Sequence, residues 1–268
     1  MRKLLHVSDI HFGPPHRPEV SAGLVDLVAD RRPDLVVIAG DLTQRAKPHQ
    51  FQQARRWVDS LGAPSVAVPG NHDVPMYRFW ERLFVPFGAY RKHFAGDLEP
   101  TFEDDEMFVV GINSAFNWTI KDGRVSGARI RRLERLLAAV PEHKMRVAVV
   151  HHELIPAPRF GAQKVLANAA RLAAALAEGG VQLVLSGHLH QAYSALAETY
   201  YPGVGAAMVV AHSGTTTSSR GRGCERGRNT GFWVELEPGR VRLQGLEWES
   251  AGRRFVERSV HDYMLGAG

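Results

Sequence analysis

Five short apolar runs in this chain each stop on aspartate, asparagine or histidine, and no other feature limits the fold as much. Residues 4–8 lead to Asp9 and His11, and residues 35–39 lead to Gly40-Asp41. Residues 65–68 lead to Gly70-Asn71-His72-Asp73, residues 147–150 to His151-His152, and residues 183–186 to Gly187-His188-Leu189-His190. Runs this apolar and β-branched suit strands covered on both faces, as in α/β sheets. Glycine lets the chain turn sharply, and the polar residue then sits at the carboxyl end of its strand, where ligands bind in such sheets. Asp41 is the expected hub of the cluster.

The segments between these runs fit that scheme. Helices are expected over 18–30, 48–60, 129–140 and 163–178, with Pro48 suited to a first turn. Strands are expected over 3–8, 65–68, 108–112, 147–150, 183–186 and 208–211, and residues 232–236 and 241–248 read as a terminal hairpin around Pro238-Gly239. The first 70 residues alternate strand and helix, which implies a parallel sheet with right-handed crossovers. Tyr77, Phe79, Trp80, Phe84, Phe87, Tyr90 and Phe94 crowd one segment. It reads as a helix and loop beside the site, its rings mostly core and a minority pocket wall. Arg129, Arg131, Arg132 and Arg135 read as a solvated helix face, and His6 as a packed strand residue. Residues 215–229, rich in Ser, Thr and Gly, read as a flexible loop. Its Arg220, Arg222, Arg226 and Arg228 are evenly balanced between touching an anionic substrate and not.

With 268 residues and no linker-like stretch, the chain reads as one domain over 1–268. A net charge of +5 fits an anionic substrate. Nucleic acid ranks below a small molecule, because no basic patch stands out beyond the 215–229 loop. Cys224 is the single cysteine, which excludes an intramolecular disulfide and a thiolate metal site. No signal-like segment and no run of about 18 apolar residues occurs. A cytoplasmic protein without a membrane span is therefore expected, its oligomeric state open.

The strand ends offer Asp9, His11, Asp41, Asn71, His152, His188 and His190. Imidazoles, carboxylates and an amide suit Mn, Fe or Zn better than Ca, and they exceed what one tetrahedral zinc needs. Shared between two divalent ions, with one carboxylate bridging, they would support displacement at phosphorus.

Asp9-x-His11, Gly40-Asp41, Gly70-Asn71-His72-Asp73, His151-His152 and Gly187-His188-x-His190 resemble, in order, the five signature blocks of the calcineurin-like metallophosphoesterases. Most of the chain is similar to the bacterial branch that resembles class III cyclic-nucleotide phosphodiesterases. Pro75 and the aromatics after the third block, the Asp122-Gly123-Arg124 turn and the Ser/Thr/Arg-rich loop carry that likeness. The resemblance implies an α/β fold, a four-layer α/β/β/α sandwich of two mixed sheets flanked by helices. It implies Asp9, His11 and His190 on one metal, Asn71, His152 and His188 on the other, and Asp41 bridging. His72 would face the phosphate and stabilise the transition state or protonate the leaving group, with Asp73 orienting it. Relatives carry His-His-Pro-Pro at the fourth block, whereas Glu153 and Leu154 follow here, so His151 stands as the alternative ligand to His152. His212 is a further neighbour at a strand end. The implied activity is metal-dependent phosphodiester hydrolysis, with cyclic nucleotides among the substrates. The alternatives on the same site are a UDP-diacylglucosamine-type pyrophosphatase and a broad phosphomonoesterase or nuclease.

Overall fold

The computed structural model describes residues 1–157, 164–204 and 207–265. In chain order the first half holds β1 (Arg2–Val7), α1 (Pro18–Arg31), β2 (Leu35–Ile38), α2 (Pro48–Ser60), β3 (Ser65–Ala67), α3 (Phe79–Phe84), α4 (Gly88–His93), β4 (Thr101–Glu103), β5 (Met107–Ile112) and α5 (Gly127–Ala138). There follow β6 (Met145–Val150), α6 (Ala169–Glu178), β7 (Val181–Ser186), β8 (Tyr193–Leu196), β9 (Val209–His212), β10 (Thr230–Glu237), β11 (Arg240–Glu249) and β12 (Arg254–Met264).

Alternation along the strands decides the layering. In β2, Val36 and Ile38 face one apolar cluster, while Leu35 and Val37 face another. A strand buried on both faces needs a cover on each side. Helices α1 and α2 cover the outer face of the first sheet through Val20, Leu24, Phe51 and Trp57. Helices α5 and α6 cover the second through Ile130, Leu137, Leu172 and Leu176. The inner faces pack on each other through Leu4, Val37, Val149, Leu185 and Val234. The result is the four-layer α/β/β/α sandwich that the sequence implies. Burying one such leucine stabilises by about 1.5–3 kcal/mol, so these three apolar layers dominate over surface charge pairs.

The first sheet runs β12-β11-β10-β1-β2-β3, and the second β4-β5-β6-β7-β9-β8. Strands β1, β2 and β3 are parallel, as are β5, β6, β7 and β9. All other pairings are antiparallel, so both sheets are mixed.

Four details differ from the sequence reading, each for a physical reason. The helix expected over 163–178 starts at Ala169, with Gln163 outside the described residues. The Leu166 and Ala167 amides bond instead to the carbonyls of Glu153 and Gly123, and that capture replaces the first helical turn. The terminal hairpin has a third strand, β12, whose largely exposed side chains give no apolar run to find. The aromatic segment forms two short helices. Tyr90 and Phe94 are buried, but Tyr77, Phe79, Trp80 and Phe84 are exposed and not core. Finally, the start of the 215–229 loop is buried rather than loose. Thr215 Oγ1 donates to the Asp9 carbonyl at 2.8 Å and Thr217 Oγ1 to that of Ile10 at 3.0 Å.

Burial makes two histidines sensitive to acid. His6 and His212 are fully buried, and neither ring nitrogen of either finds a hydrogen-bonding partner. His212 stacks on Tyr193 at 4.6 Å between centroids. Burial pushes both imidazoles down to about 3. Between that value and the ordinary 6.5, the unfolded chain binds a proton that the folded chain refuses, so stability falls as pH drops through this window. Each such group adds about 1.4 kcal/mol per pH unit to the slope. Urea unfolding of chelator-treated protein between pH 4 and 6 should show His212→Gln with a shallower slope by that amount. An unchanged slope would mean that His212 is protonated in the folded protein.

Candidate metal centre

The carboxyl ends of the parallel strands in the two sheets meet, and their side chains form two adjoining groups. In the first, His11 Nε2 lies 3.2 Å from His190 Nε2, 3.6 Å from Asp9 Oδ1 and 3.7 Å from Asp41 Oδ2. His190 Nε2 is 3.0 Å from Asp9 Oδ1. In the second, His151 Nε2 lies 3.4 Å from Asp41 Oδ1, 3.2 Å from Asn71 Oδ1 and 3.3 Å from His188 Nδ1. Asp41 thus turns one oxygen to each group.

What these side chains bond on their outer sides fixes what they present inward. His190 Nδ1 is 2.8 Å from the Arg220 carbonyl, and His151 Nδ1 is 2.7 Å from that of Ala39. A carbonyl accepts, so those nitrogens donate and each ring turns Nε2 inward. Asn71 Nδ2 donates to the Ile120 carbonyl at 3.0 Å, which aims Oδ1 inward. Asp9 Oδ2 accepts from Ser8 Oγ at 2.8 Å and from the His188 amide at 2.9 Å. That leaves Oδ1, buried and without a donor in hydrogen-bonding geometry. Lone pairs this close need a cation among them, and the N/O set fits a divalent transition metal. Asp9, His11, Asp41 and His190 offer one atom each within 4.8 Å of one another, as do His151, His152 and His188.

The electrostatics agree. Burial would raise the Asp9 and Asp41 carboxyls, but His190 beside Asp9 and His151 beside Asp41 outweigh it and hold both well below the usual range. Burial pushes His11 down to about 4 and His188 to about 3. Burial would also lower His151, yet the Asp41 charge pushes it up to about 10. A proton and a metal ion therefore compete for that nitrogen.

The backbone is bent to suit. Asp9, His11, Asp41, His188 and His190 all have left-handed φ, from 52° to 78°. This conformation costs an L-residue about 1–2 kcal/mol. Gly40, at φ 92°, is required twice over, since a Cβ there would lie 2.4 Å from His151 Nδ1.

The fourth block brings both of its histidines to the second group, and Asp73 lies elsewhere than expected. The sequence reading put His152 in the second group, with His151 as alternative. His151 faces Asp41 and Asn71. His152 is anchored through Nδ1, 2.7 Å from Ser114 Oγ, which leaves its Nε2 buried and without a partner in the group it shares with His151 and His188. Asp73 does not touch the His72 ring. Its carboxylate accepts from the Leu42, Thr43 and Gly70 amides and from Thr43 Oγ1, bracing the loop that holds Asp41. Burial and the Asp41 charge push Asp73 up to about 7, opposed by those donors. The Gln44 carbonyl, 3.0 Å from His72 Nδ1, orients the ring instead. Glu153 is buried beside His188, 3.9 Å from its Nε2, and burial pushes it up to about 7.

Gln44, Ser8, Ser114 and the Arg220 carbonyl were missed from the sequence. Only Ser8 gave a signal, directly before Asp9. Over the two groups lies a pocket of about 250 Å³ that includes His72, Arg45, Arg82, Lys121, Arg220 and Arg222.

Comparison with known proteins agrees with this geometry. The family model described as calcineurin-like phosphoesterase matches residues 2–192. A probable cyclic nucleotide phosphodiesterase of Synechococcus sp. is 31% identical over 65% of this chain and 64% of its own length. The 3′,5′-cyclic adenosine monophosphate phosphodiesterase CpdA of Escherichia coli (strain K12) is 29% identical over 59% of this chain and 54% of its own. The chain thus spans less than two thirds of either relative. A dimetal phosphatase from Danio rerio superposes with a TM-score of 0.68 at 11% identity, covering 98% of both chains, which speaks for the fold alone.

The two neighbouring histidines are separable by experiment. Elemental analysis of protein loaded with manganese should show His151→Ala and His152→Ala each losing about one ion per chain. Wild-type content in either variant would remove that histidine from the second group.

Proposed function

The chain belongs to the calcineurin-like phosphoesterases, and from that premise we propose that it is a two-ion phosphodiesterase. Asp9, His11, Asp41 and His190 would hold one divalent ion, and Asp41 and Asn71 with His151, His152 and His188 would hold the other, with manganese, iron or zinc as the metal. The observation that carries the reading is the Asp41 carboxylate, whose oxygens face two separate donor groups. When bound, the ions supply the positive charge that holds phosphoryl oxygens and makes water a competent nucleophile at neutral pH.

The remaining steps belong to the chain itself. His72 sits at the edge of the first group, its ring centroid 4.8 Å from that of His11. Its backbone N–H donates to Asp41 Oδ1 at 2.8 Å, tying its position to the centre. Nδ1 is held by the Gln44 carbonyl, so Nε2 is the atom that meets substrate. With the Nδ1 proton kept on the Gln44 carbonyl, a proton carried at Nε2 can pass to the departing alkoxide. Arg220 Nη2 lies 3.5 Å from that nitrogen, and Arg220 Nε has no partner. Its guanidinium is placed to hold a nonbridging phosphoryl oxygen as charge builds. The Arg220 carbonyl orients His190, so one residue serves both metal ligand and substrate.

A diester is favoured over a monoester because the pocket has apolar lining for a second arm in Val74, Met76 and Ile120. Both relatives named above are phosphodiesterases by name, which supports the same class. Cyclic nucleotides are accordingly among the substrates.

Kinetics with bis-(4-nitrophenyl) phosphate and 4-nitrophenyl phosphate test the class directly. The diester should have the larger kcat/KM at one manganese concentration, and a clear win for the monoester would replace this reading with a phosphatase. His72→Ala should keep its metal and lose about 10²–10⁴-fold in kcat on an alkyl diester. The loss should be smaller with nitrophenolate, which departs without a proton. Asp41→Asn should bind fewer ions than wild type by elemental analysis, and full occupancy with full activity would remove Asp41 from the centre.

A further inference from the structure

Arg45, Arg82, Lys121, Arg220 and Arg222 all line the pocket over the metal centre. Among the described residues none of them pairs with a carboxylate, whereas arginines elsewhere do, such as Arg228 with Glu247 and Arg240 with Asp262. The five differ in what their donors already serve. Arg82 gives Nη1 to the Pro75 carbonyl at 3.0 Å and Nη2 to that of Thr119, so it is a strut between α3 and the loop after β5. Arg220 stands at the reacting end, beside His72 and 3.3 Å from Gln44 Oε1. Arg45 meets only the Met76 sulfur at 3.6 Å and the Tyr77 ring, 5.3 Å from its centroid. The Lys121 and Arg222 side chains are exposed, with no protein acceptor among the described residues.

A scissile phosphodiester brings a single negative charge, and the metal centre with Arg220 already faces it. The charges of Arg45, Lys121 and Arg222 exceed that demand. Like charges sharing one concave surface repel, and a ligand anion relieves the repulsion while accepting charge-assisted hydrogen bonds. Guanidinium groups suit phosphate in particular, since two parallel N–H donors match two oxygens. We propose that Arg45, Lys121 and Arg222 form a subsite for a second anionic group on the substrate, a terminal phosphate carried beyond the scissile diester. The Val74, Met76 and Ile120 lining of the same pocket suits an organic spacer such as a nucleoside. The proposal rests on the diesterase reading and narrows it, because it disfavours substrates whose only charge is the one being cleaved.

Three dinucleotides make the test, the diester ApA and its relatives pApA and ApAp, which add a terminal phosphate at either end. They are compared at about 0.15 M ionic strength, where long-range steering is largely screened. At least one phosphorylated form should exceed ApA in kcat/KM by about tenfold, the equivalent of one good charge-assisted contact. The double variant Lys121→Gln with Arg222→Gln, changing exposed side chains only, should bring that ratio below about threefold. Equilibrium binding of adenosine 3′,5′-bisphosphate against 3′-AMP should show the same preference and the same loss. Ratios near one in wild type, or a preference untouched in the double variant, would overturn the subsite. Failure of the diesterase reading looks different, as bis-(4-nitrophenyl) phosphate would then not be turned over at all.

Discussion

Two carboxylates and five imidazoles converge at a largely buried centre, and the fold can tolerate this only with compensating positive charge among them. Removing an uncompensated carboxylate from water costs several kcal/mol, even after relaxation. The surrounding structure serves to keep these groups together regardless. Ser8 and the Ala39 and Arg220 carbonyls each bond the outer side of a group whose inner side stays free, while Asp73 braces the loop that holds Asp41. The left-handed residues at the strand ends add conformational cost to electrostatic cost. Both are borne by the apolar layers on either side, which have little to do with chemistry and much to do with stiffness.

The strands that carry the donors were readable because burial on two faces demands unbroken apolar runs, and because Gly40, Gly70 and Gly187 mark where each run ends. Layer order was not readable from periodicity and came from resemblance. What sequence patterns missed lies where side chains are neither consistently buried nor consistently exposed. β12 is stabilised by pairing with β11 and by charge pairs such as Arg240 with Asp262, neither of which leaves an apolar signature. Tyr77, Phe79, Trp80 and Phe84 look like core by composition, yet they are exposed.

The site shows the same division. Residue types and spacing pointed to the groups gathered at the strand ends, but direction depends on local geometry that spacing does not encode. His151 and His152 reach the same group from different anchors, the Ala39 carbonyl and Ser114 Oγ. Asp73 neighbours His72 in sequence, yet its oxygens point to amides on another loop. The Arg220 carbonyl could not be foreseen, because a backbone atom carries no residue signature. A loop that looked mobile by composition turns out to be clamped by its own threonines, which bond the carbonyls of Asp9 and Ile10.

The position of β1 in its sheet has a consequence for how the chain acquires its structure. Its partners are β2 on one side and β10 on the other, with Arg2 opposite Leu236. The strand bearing the first metal donor therefore waits for a neighbour more than 200 residues downstream. At synthesis rates of about 5–20 residues per second, that neighbour emerges roughly 10–50 s after β1. During this interval one edge of β1 is unpaired while Leu4 and Leu5 are already available to other apolar surfaces. Closing so long a loop is slow, and chains dominated by such distant pairings are exposed to misassembly while they wait. β10, the first strand of the terminal hairpin, is the latch that ends this exposure.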